Sequence, residues 1–234
     1  MTMNNKDRQY LEAIGKNYNS ITATADYRHY LSRRRLIIRD MLNGYCSGEG
    51  LVVDLASGTG NYSESIANCR LLLNFDLSFN ALKEQYLLRD NIVRINADAL
   101  HIPLKDRSVD CILLIGLVHH IPSNLDALFQ EIVRILKIGG VIIIDEANAY
   151  NLAWFVAMKI SEIDKINTMP IFPCNLKKLA KAYNLSVKKE LFWGFMPPGI
   201  RSRRMADIFG KLEEKIESSY LKKICTRYTL VLMK

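Results

Sequence analysis

Asp54-Leu55-Ala56-Ser57-Gly58-Thr59-Gly60 is the stretch whose residue types and spacing most plainly suit a ligand. Its two glycines let backbone approach a bound molecule and take dihedrals that other residues resist. The acid that opens it decides which ligands fit. A nucleoside-triphosphate loop needs G-x-x-x-x-G-K-[ST], its lysine on the phosphates, and no lysine lies between Leu51 and Leu82. A dinucleotide loop needs a third glycine where Ser63 stands. The Asp54 carboxylate would also face a pyrophosphate, anion against anion in a partly dry site. A ligand with a cationic head and no phosphate meets neither objection.

Further candidates follow at ordered intervals. Asp76 comes 22 residues after Asp54 (76 − 54), a distance at which an acid can accept hydrogen bonds from ribose hydroxyls. It also precedes Ser78, a natural helix cap, and could serve that turn instead. Asp98-Ala99 lies later, and Ile115-Gly116 ends the most apolar run of the chain. His119 and His120 are of the type that deprotonates an acceptor near neutral pH. No His, Asp and Glu cluster has metal-ligand spacing, so no metal is expected.

The elements that must position these residues are legible as alternation. Residues 6–42 read as helical, with Leu31, Arg35, Ile38 and Leu42 at helical spacing and Gly44 as the stop. LVVDL (51–55), LLLNFD (71–76), NIVRIN (91–96), VDCILLIG (109–116) and VIIIDEA (141–147) read as strands. Helices are expected at 62–69, from the Ser78 cap to about 88, and from the Ser123 cap to 137, broken by Gly139-Gly140. Strands alternating with such helices imply right-handed βαβ units and a parallel sheet covered on both faces. Beyond 148 the reading is a helix over 150–168, a short helix over 175–183, a strand over 185–195, a charged helix over 204–223 and a last strand over 227–234 that can join antiparallel.

With these segments in order, residues 51–147 resemble the class I S-adenosylmethionine-dependent methyltransferases of the methyltransferase domain 11 type. The first loop follows that family's pattern of acid, apolar, small, x, Gly, x, Gly, with Ala56 where many members carry glycine. Asn74-Phe75-Asp76-Leu77-Ser78, Asn96-Ala97-Asp98-Ala99-Leu100, the lead Pro103 to Asp110, Gly116-Leu117-Val118-His119-His120-Ile121 and Arg134 to Gly140 fall in register with it. The resemblance implies a Rossmann-like three-layer α/β sandwich: a mostly parallel seven-stranded sheet, a final antiparallel strand and helices on both faces. It implies S-adenosylmethionine as cofactor and S-adenosylhomocysteine as product. Asp54, Ala56, Ser57, Gly58, Gly60, Asp76, Leu77, Asp98, Ala99, Ile115 and Gly116 would contact it. Because the His-His-Ile pattern recurs in this fold across unrelated acceptors, a proton-handling role for His119 or His120 does not follow from the resemblance. Residues 1–45 are expected as an N-terminal helical cap and 46–234 as the methyltransferase domain, with a helical insertion at about 148–184.

The bulk numbers agree with one such domain. The chain has 234 residues, 49% hydrophobic and 24% charged, enough for a sizeable core. No apolar run approaches the roughly 20 residues that span a bilayer, and residues 1–8 lack a signal-peptide core. Five scattered cysteines without a C-x-x-C pair point to a reducing, cytoplasmic setting. The net charge of +8 concentrates at Arg33-Arg34-Arg35, at Lys177, Lys178 and Lys181, and at Arg201, Arg203 and Arg204. Such clusters attract phosphate-bearing partners or form a solvated basic surface.

The expected reaction is methyl transfer to an oxygen or nitrogen of a small-molecule or glycan-type acceptor, enclosed by the N-terminal helix and the 148–184 insertion. Trp154, Phe155, Met158, Phe172, Trp193 and Phe195 would wall that pocket, with 193–200 as a lid, or else they are ordinary packing residues. The basic clusters and the His-His-Ile loop, similar to some wobble-uridine methyltransferases, keep a tRNA acceptor open. A non-catalytic cofactor-binding partner subunit is the third reading. The oligomeric state stays open.

Overall fold

The computed structural model describes residues 9, 12, 13, 25–66, 69–86, 89–153, 155–156, 169–195 and 203–234. Within them, strands form where apolar, β-branched runs are bounded by turn residues. Leu51–Leu55, strand β1, is buried at every position. It runs parallel between β2 (Leu71–Asp76) and β4 (Val109–Ile115), with Leu55 opposite both Phe75 and Leu114. β3 (Ile92–Asn96) lies outside β2, and β5 (Leu136–Ala147) outside β4. Beyond β5 come β7 (Arg227–Met233) and then β6 (Ser186–Trp193), so the order is β3-β2-β1-β4-β5-β7-β6. β7 is antiparallel to both of its neighbours; the other six strands point one way.

Successive strand residues face opposite sides of a sheet, so a strand covered on both faces must be apolar throughout. Val52, Cys111, Leu113 and Ile143 face one side and pack against Ile38 and Leu42 of helix α1 (Ala25–Tyr45) and Ile66 of α2 (Ser63–Ile66). Val53, Ile112, Leu114 and Ile144 face the other. There they meet Leu128, Phe129 and Ile132 of α4 (Leu125–Ile135) and Leu176 and Ala180 of α5 (Pro173–Ala182). Each of the valine, leucine, isoleucine and phenylalanine side chains among them, when fully buried, stabilises the fold by about 1.5–3 kcal/mol. α3 (Phe79–Lys83) follows β2, and α6 (Arg203–Glu217) precedes β7. This is the three-layer Rossmann-like sandwich expected from the sequence. Of the expected N-terminal cap, α1 lies directly on the sheet.

Several boundaries move, each for a local reason. Gly44 lies inside α1, which runs on to Tyr45. Ser78 caps a helix that ends at Lys83. Ser123 sits in a 3-10 turn, Pro122–Asn124, and α4 starts at Leu125 without a side-chain cap. Gly139-Gly140 does not precede β5 but lies within it. Gly139 takes a φ of 77°, and the pair is stitched to Lys234 by Gly139 N–H to its carbonyl (2.9 Å) and Lys234 N–H to the Gly140 carbonyl (3.1 Å). The charged helix ends at Glu217, and a separate 3-10 turn, Tyr220–Ile224, leads into β7. Most of the expected helix over 150–168 lies outside the described residues.

Candidate active site

The strand order reverses between β1 and β4, the point at whose carboxyl ends open α/β sheets hold their ligands. The Ala56–Gly60 loop follows β1 there. Ser57 N–H donates to the Phe75 carbonyl at 2.9 Å, and Gly58 N–H to Asp76 Oδ2 at 2.7 Å. From beneath, the Gln85 side chain donates to the Gly58 carbonyl (2.8 Å) and to Ser57 Oγ (3.1 Å). Asn74, buried on β2, donates to Gln85 Oε1 and Ser63 Oγ and completes the support. A Cβ on Gly60 would stand 3.0 Å from Gln85 Cγ, so that glycine is fixed by close approach. A Cβ on Gly58 would meet nothing within 4 Å: this face of the loop is open. Ala56 holds a φ of 61°, a left-handed conformation that costs an L-residue about 1–2 kcal/mol.

Asp76 is the hub of the loop. Its Oδ1 accepts from Ser78 N–H at 2.8 Å while Oδ2 holds Gly58. Ser78 Oγ in turn caps α3 by accepting from Ala81 N–H. The Glu12 carboxylate reaches the same corner and accepts from Ser78 Oγ (2.9 Å) and from the N–H groups of Phe79 and Asn80 (both 3.0 Å). Burial, reinforced by the charge of Glu12, pushes the Asp76 carboxyl above its usual range against the pull of its N–H donors. The Leu77 carbonyl accepts from Asn96 Nδ2 at 2.9 Å, tying β2 to β3. Asp98, half-exposed, folds back on its own turn, Oδ1 accepting from Leu100 N–H at 2.9 Å, and Ala99 packs partly against the core.

Asp54 is different in kind. It is 1% exposed, and among the described residues neither carboxylate oxygen has a hydrogen-bond partner. Desolvation first, then the neighbouring Asp76, push its carboxyl up to about 8. A buried carboxyl without donors is costly; a cation brought to it would relieve that cost.

Beside the loop, β4 ends in Ile115-Gly116. Gly116 (φ 68°) donates its N–H to the Asp145 carbonyl at 2.9 Å, and a Cβ there would stand 3.7 Å from His119 Cε1. The buried His119 ring therefore abuts the loop residue expected to touch the cofactor. Nδ1 of His119 lies 2.6 Å from Oε2 of Glu146, whose Oε1 accepts from Val118 N–H at 2.5 Å. Burial alone would raise the Glu146 carboxyl; the His119 charge, its hydrogen bond and the Val118 N–H outweigh burial and hold it below the usual range. The His120 ring lies tilted against that of His119, centroids 4.1 Å apart. Glu146 was not singled out from the sequence, although two acids ending an otherwise apolar strand are a readable signal.

Asp145 organises a second buried group. Its carboxylate forms an ion pair with Arg34 Nε (2.7 Å) and accepts from Trp193 Nε1 (3.0 Å) and Thr229 Oγ1 (2.5 Å). Arg34 also donates to Tyr62 Oη at 2.8 Å, linking α1 to the segment after the glycine loop. The Arg33-Arg34-Arg35 run is thus turned inward. Arg33 is bound by Glu213 and Glu217, and Arg35 donates to the Asn61 carbonyl. Trp193, expected in a pocket wall, is fully buried in this network. Phe172 makes a tilted ring contact with Tyr150 and is exposed, Phe155 is partly exposed, and Phe195 packs on the main core. Trp154, Met158, Arg201 and the 196–200 part of the expected lid lie outside the described residues.

Residues 53–144 match the family described as methyltransferase domain. The chain is 26% identical over 212 residues, 84% of this chain and 86% of the relative, to a demethylmenaquinone methyltransferase of Staphylococcus aureus (strain JH9). Magnesium protoporphyrin IX methyltransferase from Synechocystis PCC 6803, solved with bound S-adenosylhomocysteine, superposes with a TM-score of 0.67 at 13% identity, covering 98% of both chains. A chain of the Haloferax volcanii complex that contains the Trm112 methyltransferase activator gives 0.67 at 16% identity, covering 100% of this chain and 99% of that one.

Proposed function

We infer, from a chain that carries a methyltransferase domain over residues 53–144 on the Rossmann-like fold of such enzymes, that it transfers a methyl group from S-adenosylmethionine to a small-molecule acceptor. The observation that carries this reading is Asp54: a buried carboxyl, without a hydrogen-bond partner among the described residues, at the strand end below an open glycine loop. It suits a cofactor with a cationic amine and sulfonium and disfavours one bearing a pyrophosphate.

Asp54, the Ala56–Gly60 loop, Asp76-Leu77, Asp98-Ala99 and Ile115-Gly116 would hold the cofactor. When bound, it supplies a methyl group already activated by its sulfonium and leaves as S-adenosylhomocysteine. The protein's own work is alignment and exclusion of water. Gln85 and Asn74 fix the loop from below, and Asp76 sets its height against α3. An acceptor oxygen or nitrogen that must lose a proton needs a base; His119, which Glu146 holds beside Gly116, would take it. The ionised Glu146 can only accept, so in its neutral form the ring would keep its proton on Nδ1 and have Nε2 as the basic atom.

The inward turn of the Arg33–Arg35 run favours a small molecule over tRNA, since those cations already have carboxylate and carbonyl partners. Tight tRNA binding that falls steeply with salt would reverse that preference. The five cysteines are free thiols, which fits a reducing, cytoplasmic setting.

Calorimetric titration with S-adenosylmethionine, S-adenosylhomocysteine and NAD tests the cofactor. Binding of the two sulfur compounds and not of NAD is expected. Binding of NAD, or of none of the three, would overturn the reading.

A further inference from the structure

α6 and the 3-10 turn after it carry apolar residues that the core does not use. At 3.6 residues per turn, Phe209, Glu213 and Ile216 share the inner side of α6, where Glu213 binds Arg33 and His29 and Phe209 packs near Trp193. Met205, Ile208 and Leu212 form the next stripe round the helix and are 44%, 53% and 41% exposed. Next round the helix come exposed cations, Arg204, Lys211 and Lys215, and only beyond them the acids Asp207 and Glu214. The turn repeats the composition: Tyr220, Leu221 and Ile224 are exposed, interleaved with exposed Lys222 and Lys223.

We propose that this face of α6 and the 220–224 turn docks the protein on a bilayer surface bearing anionic headgroups. The charge pattern selects that occupant. An apolar stripe bordered by Lys and Arg, with acids turned away, is the arrangement by which an interfacial helix sinks its apolar edge below a layer of negative headgroups. Nucleic acid would match the cations but leave the leucine, isoleucine and methionine side chains without a partner. No helix among the described residues is long and apolar enough to cross a membrane, so the attachment is peripheral. Asn148 and Asn151 donate to the carbonyls of Lys223 and Ile224. They fasten the docking turn to the end of β5, beside the strand ends that form the site.

The test is co-sedimentation of the full chain with vesicles of phosphatidylcholine alone and of phosphatidylcholine mixed with phosphatidylglycerol, at low and high salt. Binding to the mixed vesicles only, weakening as salt rises, is expected. Each of the substitutions Lys215→Gln, Lys222→Gln and Lys223→Gln should lower affinity about fivefold. The combined variant Ile208→Ser, Leu212→Ser, Leu221→Ser should lose binding even at low salt while keeping its circular dichroism spectrum and its cofactor titration. Absence of sedimentation at low salt would overturn the proposal, as would equal binding by the serine variant. A dimer seen by light scattering for the wild type and lost in the serine variant would do so too.

Discussion

Nδ1 of His119 and Oε2 of Glu146 lie 2.6 Å apart in a buried corner against Gly116. The carboxylate fixes the tautomer of the ring and so decides which nitrogen can act as a base. Replacing Glu146 by Gln should cost about 1–3 kcal/mol of stability, because Val118 N–H and the ring nitrogen then compete for one acceptor. The Glu146 carboxyl lies below its usual value, so its stabilising contribution is full above that value and disappears as pH falls through the folded one. Urea titrations from pH 7 downward should show the wild type converging on the Gln variant in acid. A constant gap would contradict the assignment. In turnover assays His119→Gln should depress kcat with little change in KM, and Glu146→Gln, which removes the carboxylate paired with the ring, should move the acid side of the pH profile.

Asp54 titrates in the opposite sense. Its folded value, about 8, stands above the ordinary 3.8, so the folded state holds a proton that the unfolded chain releases. Stability of the cofactor-free protein should therefore fall as pH rises from about 4 to 8. Asp54→Asn should remove that slope and be more stable at pH 8, by about 1–3 kcal/mol. S-adenosylmethionine binding should expel the proton: the measured heat at pH 7 should depend on the ionisation enthalpy of the buffer. Buffer-independent heat would rule this out.

Asp76 holds the loop and α3 through two charge-assisted hydrogen bonds. Asp76→Ala should weaken binding of both sulfur cofactors by on the order of 10- to 100-fold. Unchanged affinity by calorimetry would remove Asp76 from the site.

Ala56 sits at φ 61°. Ala56→Gly relieves the left-handed strain but gives the unfolded chain more freedom. The balance should favour the variant by about 0.5 kcal/mol. Ala56→Val should destabilise the loop and raise KM for the cofactor. Guanidinium titrations that rank Val above Gly would show the strain to be absent.

The βαβ rhythm and the glycine loop were legible because they depend on neighbours: an apolar run, a capping serine and two glycines in five residues carry their own geometry. What was hidden depends on partners distant in sequence. Arg33, Arg34 and Arg35 read as an exposed basic run, yet each meets a partner on another element. Trp193 read as a pocket wall because nothing in WGF reveals Asp145 and Thr229. Gly139-Gly140 read as a break because glycines usually are one. The backbone of Lys234, 95 residues on (234 − 139), keeps the pair in the ladder. Gln85, the prop under the loop, gave no sequence signal at all.

The place of β7 has a consequence for how the chain comes off the ribosome. This strand is made last of the seven but lies between β5 and β6. While the stretch from β1 to β5 can pair as it emerges, β6 has no strand to join until residues 227–233 arrive. Until then the free edge of β5, among the most apolar in the sheet, is open to pairing with another nascent chain. The most dangerous interval in the life of this protein is therefore the short one between the synthesis of Ala147 and that of Met233.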